Sequence, residues 1–289
     1  MGYLVTLLTI ICIYTMLTVS MDLILGYAGL FSFVHAALCG IGAYAAAFVM
    51  LKLGWGLVPA TIAAFAATAL AAKATAAVTV RLDGHYFILG TFCVANVISS
   101  VMENWTDVTN GTSGLYGIPV TSLFGWTIEP GGPFLAFCML LTGLVLFVKG
   151  RLVSAPFGIT LQAVREDEVV AWVLGHNVRH VRTVVFVIGG AITALAGVLL
   201  ACYLRYLDPT SFDFSFTILI WAALFVGGSV GTLGTIVGPA ILVLFPEALR
   251  FVGLSGPHVA NVQQALYGLL LILLMMFRPQ GFFGHHSLR

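Results

Sequence analysis

The chain has 289 residues, 60% hydrophobic and only 8% charged, with a mean hydropathy of +1.07 and a formal net charge of +1. A soluble domain carries roughly 25% charged residues, so a soluble globular body is excluded, and a near-neutral chain without a basic run gives no footing for nucleic acid. Crossings of about 20 residues each predict a single transmembrane domain over residues 1–289, an all-α integral membrane bundle of about eight or nine segments.

Tyr3 to Val19 is uninterrupted and apolar. It lacks a basic leader and an A-x-A site, so it reads as a retained first helix. Asp22 follows at the lip of a glycine-rich stretch, GYAGLFSFVHAALCGIGAY, with Gly26, Gly29, Gly40 and Gly42. Two roles are open to Asp22: binding a cation or substrate amine, or capping the next helix. A plain spanning helix has no need of these glycines. An interrupted one does, because backbone freed at membrane depth must be buried in protein or line a watery path, which in transporters marks the substrate route. The substrate-pathway candidates here are Asp22, Gly26, Tyr27, Gly29, Ser32 and His35, with Ser32 and His35 three apart on one helical face. Close helix packing is the other use of such glycines, and an interior histidine the other reading of His35.

Helices are expected at 36–51, 57–80 and 86–101, with Arg81 and Asp83 marking the turn before the last of these. The segment 103–132 is polar and contains no Lys or Arg, whereas 149–182 carries Lys149, Arg151, Arg165, Arg179 and Arg182. The positive-inside rule therefore predicts an external loop at 103–132 and a cytoplasmic loop at 149–182, separated by one helix at 133–148. Within the cytoplasmic loop, Pro156 and Phe157 lead a helical stretch, Arg165 to Glu168 form a charge knot, and Gly175 with Asn177 forms a stop. Its apolar anchors Leu161, Val164, Val169 and Trp172 predict a docking surface.

After a helix at 183–203, FVGGSVGTLGTIVGPAILVLFPE places a second glycine-broken span in the C-terminal half, with Gly227 and Gly228 as further pathway candidates. Paired broken spans point to a repeat-built transporter with a central path. A closing helix is expected at 262–277. No G-x-x-x-x-G-K-[ST] phosphate loop, metal-ligand spacing or catalytic constellation occurs, so no cofactor, metal or enzymatic activity is expected of the chain itself. Carboxylates are scarce within the spans, Glu247 being the main one, which argues against a proton relay. The energy source for any active transport is then another subunit. The five cysteines stand singly and read as buried small hydrophobes.

The runs DLILGYAGLFSFVHAALCGIGAY, APFGITLQAVREDEVVAWVLGHNV, FVGGSVGTLGTIVGPAILVLFPEALR and FRPQGFFG, together with NWTDVTNGTSGLYGIP and AGVLLACYLRYLDP, resemble LivM-like permease subunits of bacterial branched-chain amino-acid ABC importers. The similarity covers nearly the whole chain in order. It implies a bacterial inner-membrane location, a LivH-like second permease, two cytoplasmic ABC ATPase subunits that bind the ATP, and an external solute-binding protein. Ala163, Arg165, Glu166, Ala171 and Gly175 match the family's cytoplasmic coupling loop. Relatives carry Asn where Asp22 stands, Gln at Leu30 and Gly at Val34, and the family also serves urea, short amides and aromatic carboxylates. The expected function is therefore translocation of a small amino-acid-like solute, branched-chain amino acids first. A passive channel, which would work alone without ATP, and a membrane scaffold are the competing classes.

Overall fold

A computed structural model describes residues 2–251, apart from positions 83, 120, 121, 124, 125, 129 and 130, together with Gly268, Met276 and Phe282. The expected closing helix at 262–277 falls, save for two of its residues, outside the described part.

The helices run in order as α1 (Gly2–Met21), α2 (His35–Lys52), α3 (Leu57–Thr79), α4 (His85–Asn104), the single turn α5 (Thr106–Thr109), α6 (Gly132–Ser154), α7 (Pro156–Glu166), α8 (Glu168–Val173), α9 (Val178–Leu204), α10 (Phe214–Gly227) and α11 (Thr232–Phe251). Among the described residues six helical stretches are long and apolar enough to cross a membrane, α1 being carried on by a wider turn to Tyr27. α10 has 14 residues and so reaches about 21 Å, short of a hydrocarbon core of about 30 Å. The fold is a helical membrane bundle, as expected, and its second half contains the predicted interrupted span.

Small residues set the packing of the centre. α2, α3 and α9 pack mutually against one another, and a Cβ on Gly42 would stand 2.7 Å from the Cα of Ala194. Gly197 is pressed on the Cys39 carbonyl and Gly190 on Ala72. Close backbone approach of this kind replaces the hydrophobic drive that lipid cannot supply. α10 and α11 form a tight hairpin, with Gly227 against Gly234 and Gly238 against Ala223. Cys39, Cys138 and Cys202 are buried as expected, but Cys12 is only half-buried and Cys93 is exposed on α4.

One end of the bundle gathers the described residues of the segments 105–131 and 205–213. Strand β1 (Leu115–Tyr116) pairs antiparallel with Tyr206–Leu207, a hairpin joins Ser122–Leu123 to Trp126–Thr127, and Lys52 Nζ donates to the Asp107 carbonyl at 2.6 Å. The Tyr3 hydroxyl, donating to Glu247, places the start of α1 with the far part of α11. The opposite end carries the α3–α4 turn and the segment 155–177. α1 runs parallel to α6: Thr142 Oγ1 meets the Cys12 carbonyl at 3.4 Å, and Asp22 meets Lys149 further on. α1 therefore starts at the 105–131 end and brings its glycine-rich exit toward the 155–177 end.

Candidate functional site

The first break begins where α1 widens into a π-helical turn, Asp22–Tyr27, and the chain resumes as α2 only at His35. Gly29 lies at φ +69°, in the left-handed region, and a Cβ there would stand 3.0 Å from Cγ of Arg165. Only glycine turns the chain here without cost and leaves room for the arginine stem.

The freed backbone of residues 26–36 is met by side chains from distant elements. The Arg165 guanidinium donates to the Gly26 carbonyl. Thr91 Oγ1 accepts from the Phe33 N–H at 3.2 Å. Thr217 Oγ1 donates to the Phe33 carbonyl and accepts from the Ala36 N–H, both at 3.2 Å. Trp221 Nε1 donates to the Ser32 carbonyl at 3.3 Å. In hydrocarbon each unpaired group would cost several kcal/mol, so these polar side chains on otherwise apolar helices are what make an open backbone tenable.

Aromatic rings cover the break. Phe33 stacks on Trp221 with centroids 4.6 Å apart and planes at 13°, and touches Phe214 at 5.0 Å and Phe92 at 6.2 Å. Phe31 and Phe225 flank Trp221 at 5.5 and 5.9 Å. Phe31, Phe33, Trp221 and Phe225 are half-buried, and Phe92 and Phe214 are exposed. The first break thus lies on a face of the bundle, behind an aromatic wall.

The second break separates α10 from α11. Gly228 has φ +98° and Val230 φ +64°, a conformation that a β-branched residue adopts only under outside constraint. The constraint is visible: the Val230 N–H donates to Asp22 Oδ1 at 2.8 Å. The other carboxylate oxygen of Asp22 pairs with Lys149 Nζ at 2.7 Å, with side chains 0% and 1% exposed. Lys149 also donates to the Gly231 carbonyl at 3.3 Å and Thr235 Oγ1 at 3.4 Å, and lies 6.0 Å from the centre of the Tyr27 ring. One buried ion pair therefore joins the first break, the second break and the end of α6.

The segment 155–177 is a helical hairpin with two faces. Asp167 is extended, at φ −152° and ψ 111°, which ends α7, and its carboxylate caps α8 by accepting from Val169 and Val170 N–H at 2.8 and 3.1 Å. Leu161, Val164 and Ala171 are fully buried. Val169 and Trp172 are 68% and 70% exposed, beside exposed Val173 and Leu174. Gly175, at φ +89°, closes α8, and Asn177 caps α9 through the His180 N–H at 3.1 Å. A cavity of about 680 Å³ opens beside this hairpin, bordered by Arg81, Trp172, His176 and Arg179 and by the Glu168–Arg182 ion pair.

Several expectations require correction. Asp22 neither caps a helix nor stands free for a solute amine, because Lys149 and the Val230 N–H consume it. Ser32 and His35 do not share a helical face, since Ser32 lies in the unwound segment and only His35 is helical. Lys149 is not a loop cation but a buried one inside α6. The knot from Arg165 to Glu168 is cut by Asp167, and Arg165 points into the bundle while Glu166 is exposed. The anchors divide: Leu161 and Val164 face inward, Val169 and Trp172 outward. Gly227 is the last residue of α10, and its lack of a side chain admits Gly234; Gly228 is the breaking position. Gly26 and Tyr27 lie in the π turn, Gly29 in the break itself. Ala163 is half-buried on α7. His35 is fully buried, with neither ring nitrogen hydrogen-bonded among the described residues.

Thr91, Thr217, Trp221 and Lys149 were not singled out as site residues by the sequence. The available signal was charge: Asp22 and Lys149 each adjoin an apolar run, and opposite charges at membrane depth seek one another.

The family model for the permease component of branched-chain amino acid transport systems matches residues 3–276. The LivM high-affinity branched-chain amino acid permease of Escherichia coli K12 is 28% identical, over 96% of this chain and 69% of that protein. The corresponding LivH permease of the same strain is 27% identical, over 94% of this chain and 91% of its own length. The ribose import permease RbsC of Bacillus subtilis 168 is 25% identical over 65% of this chain and 57% of that protein. No solved structure matches. With the match spanning nearly the full length, and with broken spans and apolar helices in the same chain, this is a multi-pass inner-membrane protein that belongs to the branched-chain amino-acid transport permease family.

Proposed function

We propose that the chain is the permease subunit of an ATP-driven importer of a small amino-acid-like solute, branched-chain amino acids first. It works beside a LivH-like second permease and is moved by ATPases that bind the nucleotide themselves. The observation that carries this reading is the two-faced hairpin α7–α8. Its inner face holds Arg165 on the first break, and its outer face offers Val169, Trp172, Val173 and Leu174. An apolar row on an otherwise polar, arginine-rich end suits a protein partner.

The basic residues of that end orient it to the cytoplasm by the positive-inside rule, and α1 then begins on the outer face. The 105–131 and 205–213 end receives the external solute-binding protein. The path runs along the aromatic wall, where the opposing permease closes the other side and broken backbone can border water. Phe31, Phe33 and Trp221 suit an apolar side chain passing without a fixed charge partner. Alternating access follows when the ATPases push the hairpin and the hairpin shifts the breaks.

Trp172→Glu tests the docking face. Removing a large exposed aromatic from the centre of such an interface typically costs 2 kcal/mol or more, so recovery of the ATPases with the affinity-tagged permease should fall at least about tenfold while membrane insertion is unchanged. ATPase recovery equal to wild type would remove α8 as the docking element.

A further inference from the structure

The Asp22–Lys149 pair is costly. Taking two charges out of water carries a heavy desolvation penalty for each ion, and well-packed apolar replacements of similar volume are often as stable or more so. Charge at this place therefore calls for a reason other than stability. Its geometry supplies one. Asp22 opens the π-helical turn that leads into the first break, and it holds the left-handed Val230 of the second through the N–H at 2.8 Å. Lys149 fastens the Gly231 carbonyl at 3.3 Å and stands near the end of α6, which runs through Ala155 directly into α7. The same α7 returns to the first break through Arg165 and the Gly26 carbonyl. A π-helical turn and a left-handed valine are both local conformations with cheaper alternatives.

Resting on the importer reading, we propose that Asp22 and Lys149 are positioning residues that form the working joint of the transport cycle: their ion pair clamps the two breaks together, and movement of α6 and α7 opens and remakes it. The joint acts through its charge, not its packing. Apolar side chains of similar size fill the space but leave the Val230 N–H and the Gly231 carbonyl without an anchor that can be pulled, so the second break opens independently of the hairpin.

Ser229, 4% exposed and next to Val230, reports on the joint without requiring transport. The experiment uses inverted membrane vesicles holding the complete transporter, with Cys12, Cys39, Cys93, Cys138 and Cys202 replaced and Ser229→Cys introduced, alkylated by N-ethylmaleimide with and without ATP. With Asp22 and Lys149 in place, alkylation is slow at rest and speeds up with ATP. The neutral double variant Asp22→Leu/Lys149→Met, which unlike asparagine leaves no oxygen to accept from the Val230 N–H, is expected to be alkylated at least about tenfold faster at rest and to lose the ATP response. The exchanged variant Asp22→Lys/Lys149→Asp should recover part of the resting protection, and the proteins' yield and elution in detergent control for folding. Resting protection and ATP response in the neutral double variant equal to the parent would overturn the proposal, showing the pair to be a passive strut. Failure of the importer reading looks different: ATP would leave alkylation of the parent unchanged and drive no leucine uptake, whereas loss of resting protection on neutralisation would still identify the pair as the clamp.

Discussion

Gly29→Val is expected to reduce ATP-driven leucine uptake about 100-fold while the protein still inserts and binds its ATPases. A non-glycine residue in the left-handed region costs roughly 1–2 kcal/mol, and β-branching adds to it. Strain is only half of the effect. A Cβ at Gly29 stands 3.0 Å from Cγ of Arg165, and the two valine methyls extend further, so the arginine stem must leave. With it goes the donor to the Gly26 carbonyl. Gly29→Ala should give an intermediate rate, because its single methyl calls for a shift of only a few tenths of an ångström. Initial uptake rates in proteoliposomes, normalised to inserted protein, check both. A Gly29→Val rate within about twofold of wild type would mean that the geometry of the first break is not used in transport.

Arg165→Met separates the charge of this residue from its bulk. Methionine retains most of the stem beside Gly29 but leaves the Gly26 carbonyl without its donor, an omission worth about 1–3 kcal/mol for a buried acceptor. The Gly26 carbonyl belongs to the π-helical turn that Asp22 opens, so loss of Arg165 reaches the joint between the breaks. The expected result is uptake lowered about tenfold or more with ATP hydrolysis continuing, so that the ATP consumed per solute rises by the same factor. An unchanged ratio would place Arg165 outside the transmission path. Arg165→Lys is expected to restore little, because the shorter ammonium stem lacks the forked donor set of guanidinium.

The helices were legible because apolar runs of membrane length admit few alternatives: α2, α3 and α6 fall within a few residues of their expected limits, apart from the later end of α6. The breaks were legible from glycine, since Gly29 and Gly228 do take left-handed conformations. The partners of the broken backbone were not. Thr91 and Thr217 read as ordinary small residues, and a threonine meets a helix's own carbonyls far more often than a backbone on another element. Lys149 reads as a loop residue because KGR follows an apolar run, the usual mark of a cytoplasmic boundary, whereas α6 continues to Ser154 and takes it inside. Its partner lies 127 positions away, and no local periodicity encodes a contact at that separation. Arg165 is the same case in reverse: α7 is amphipathic, and in sequence alone the apolar spacing of its inward face is indistinguishable from a docking surface.

The account depends on force arriving from outside the chain, so the decisive measurement is leucine accumulation against a gradient in proteoliposomes containing both permeases, with and without the ATPases and external binding protein. It predicts uphill, ATP-dependent accumulation only when the ATPases are present. Equal accumulation by the permeases alone would contradict it.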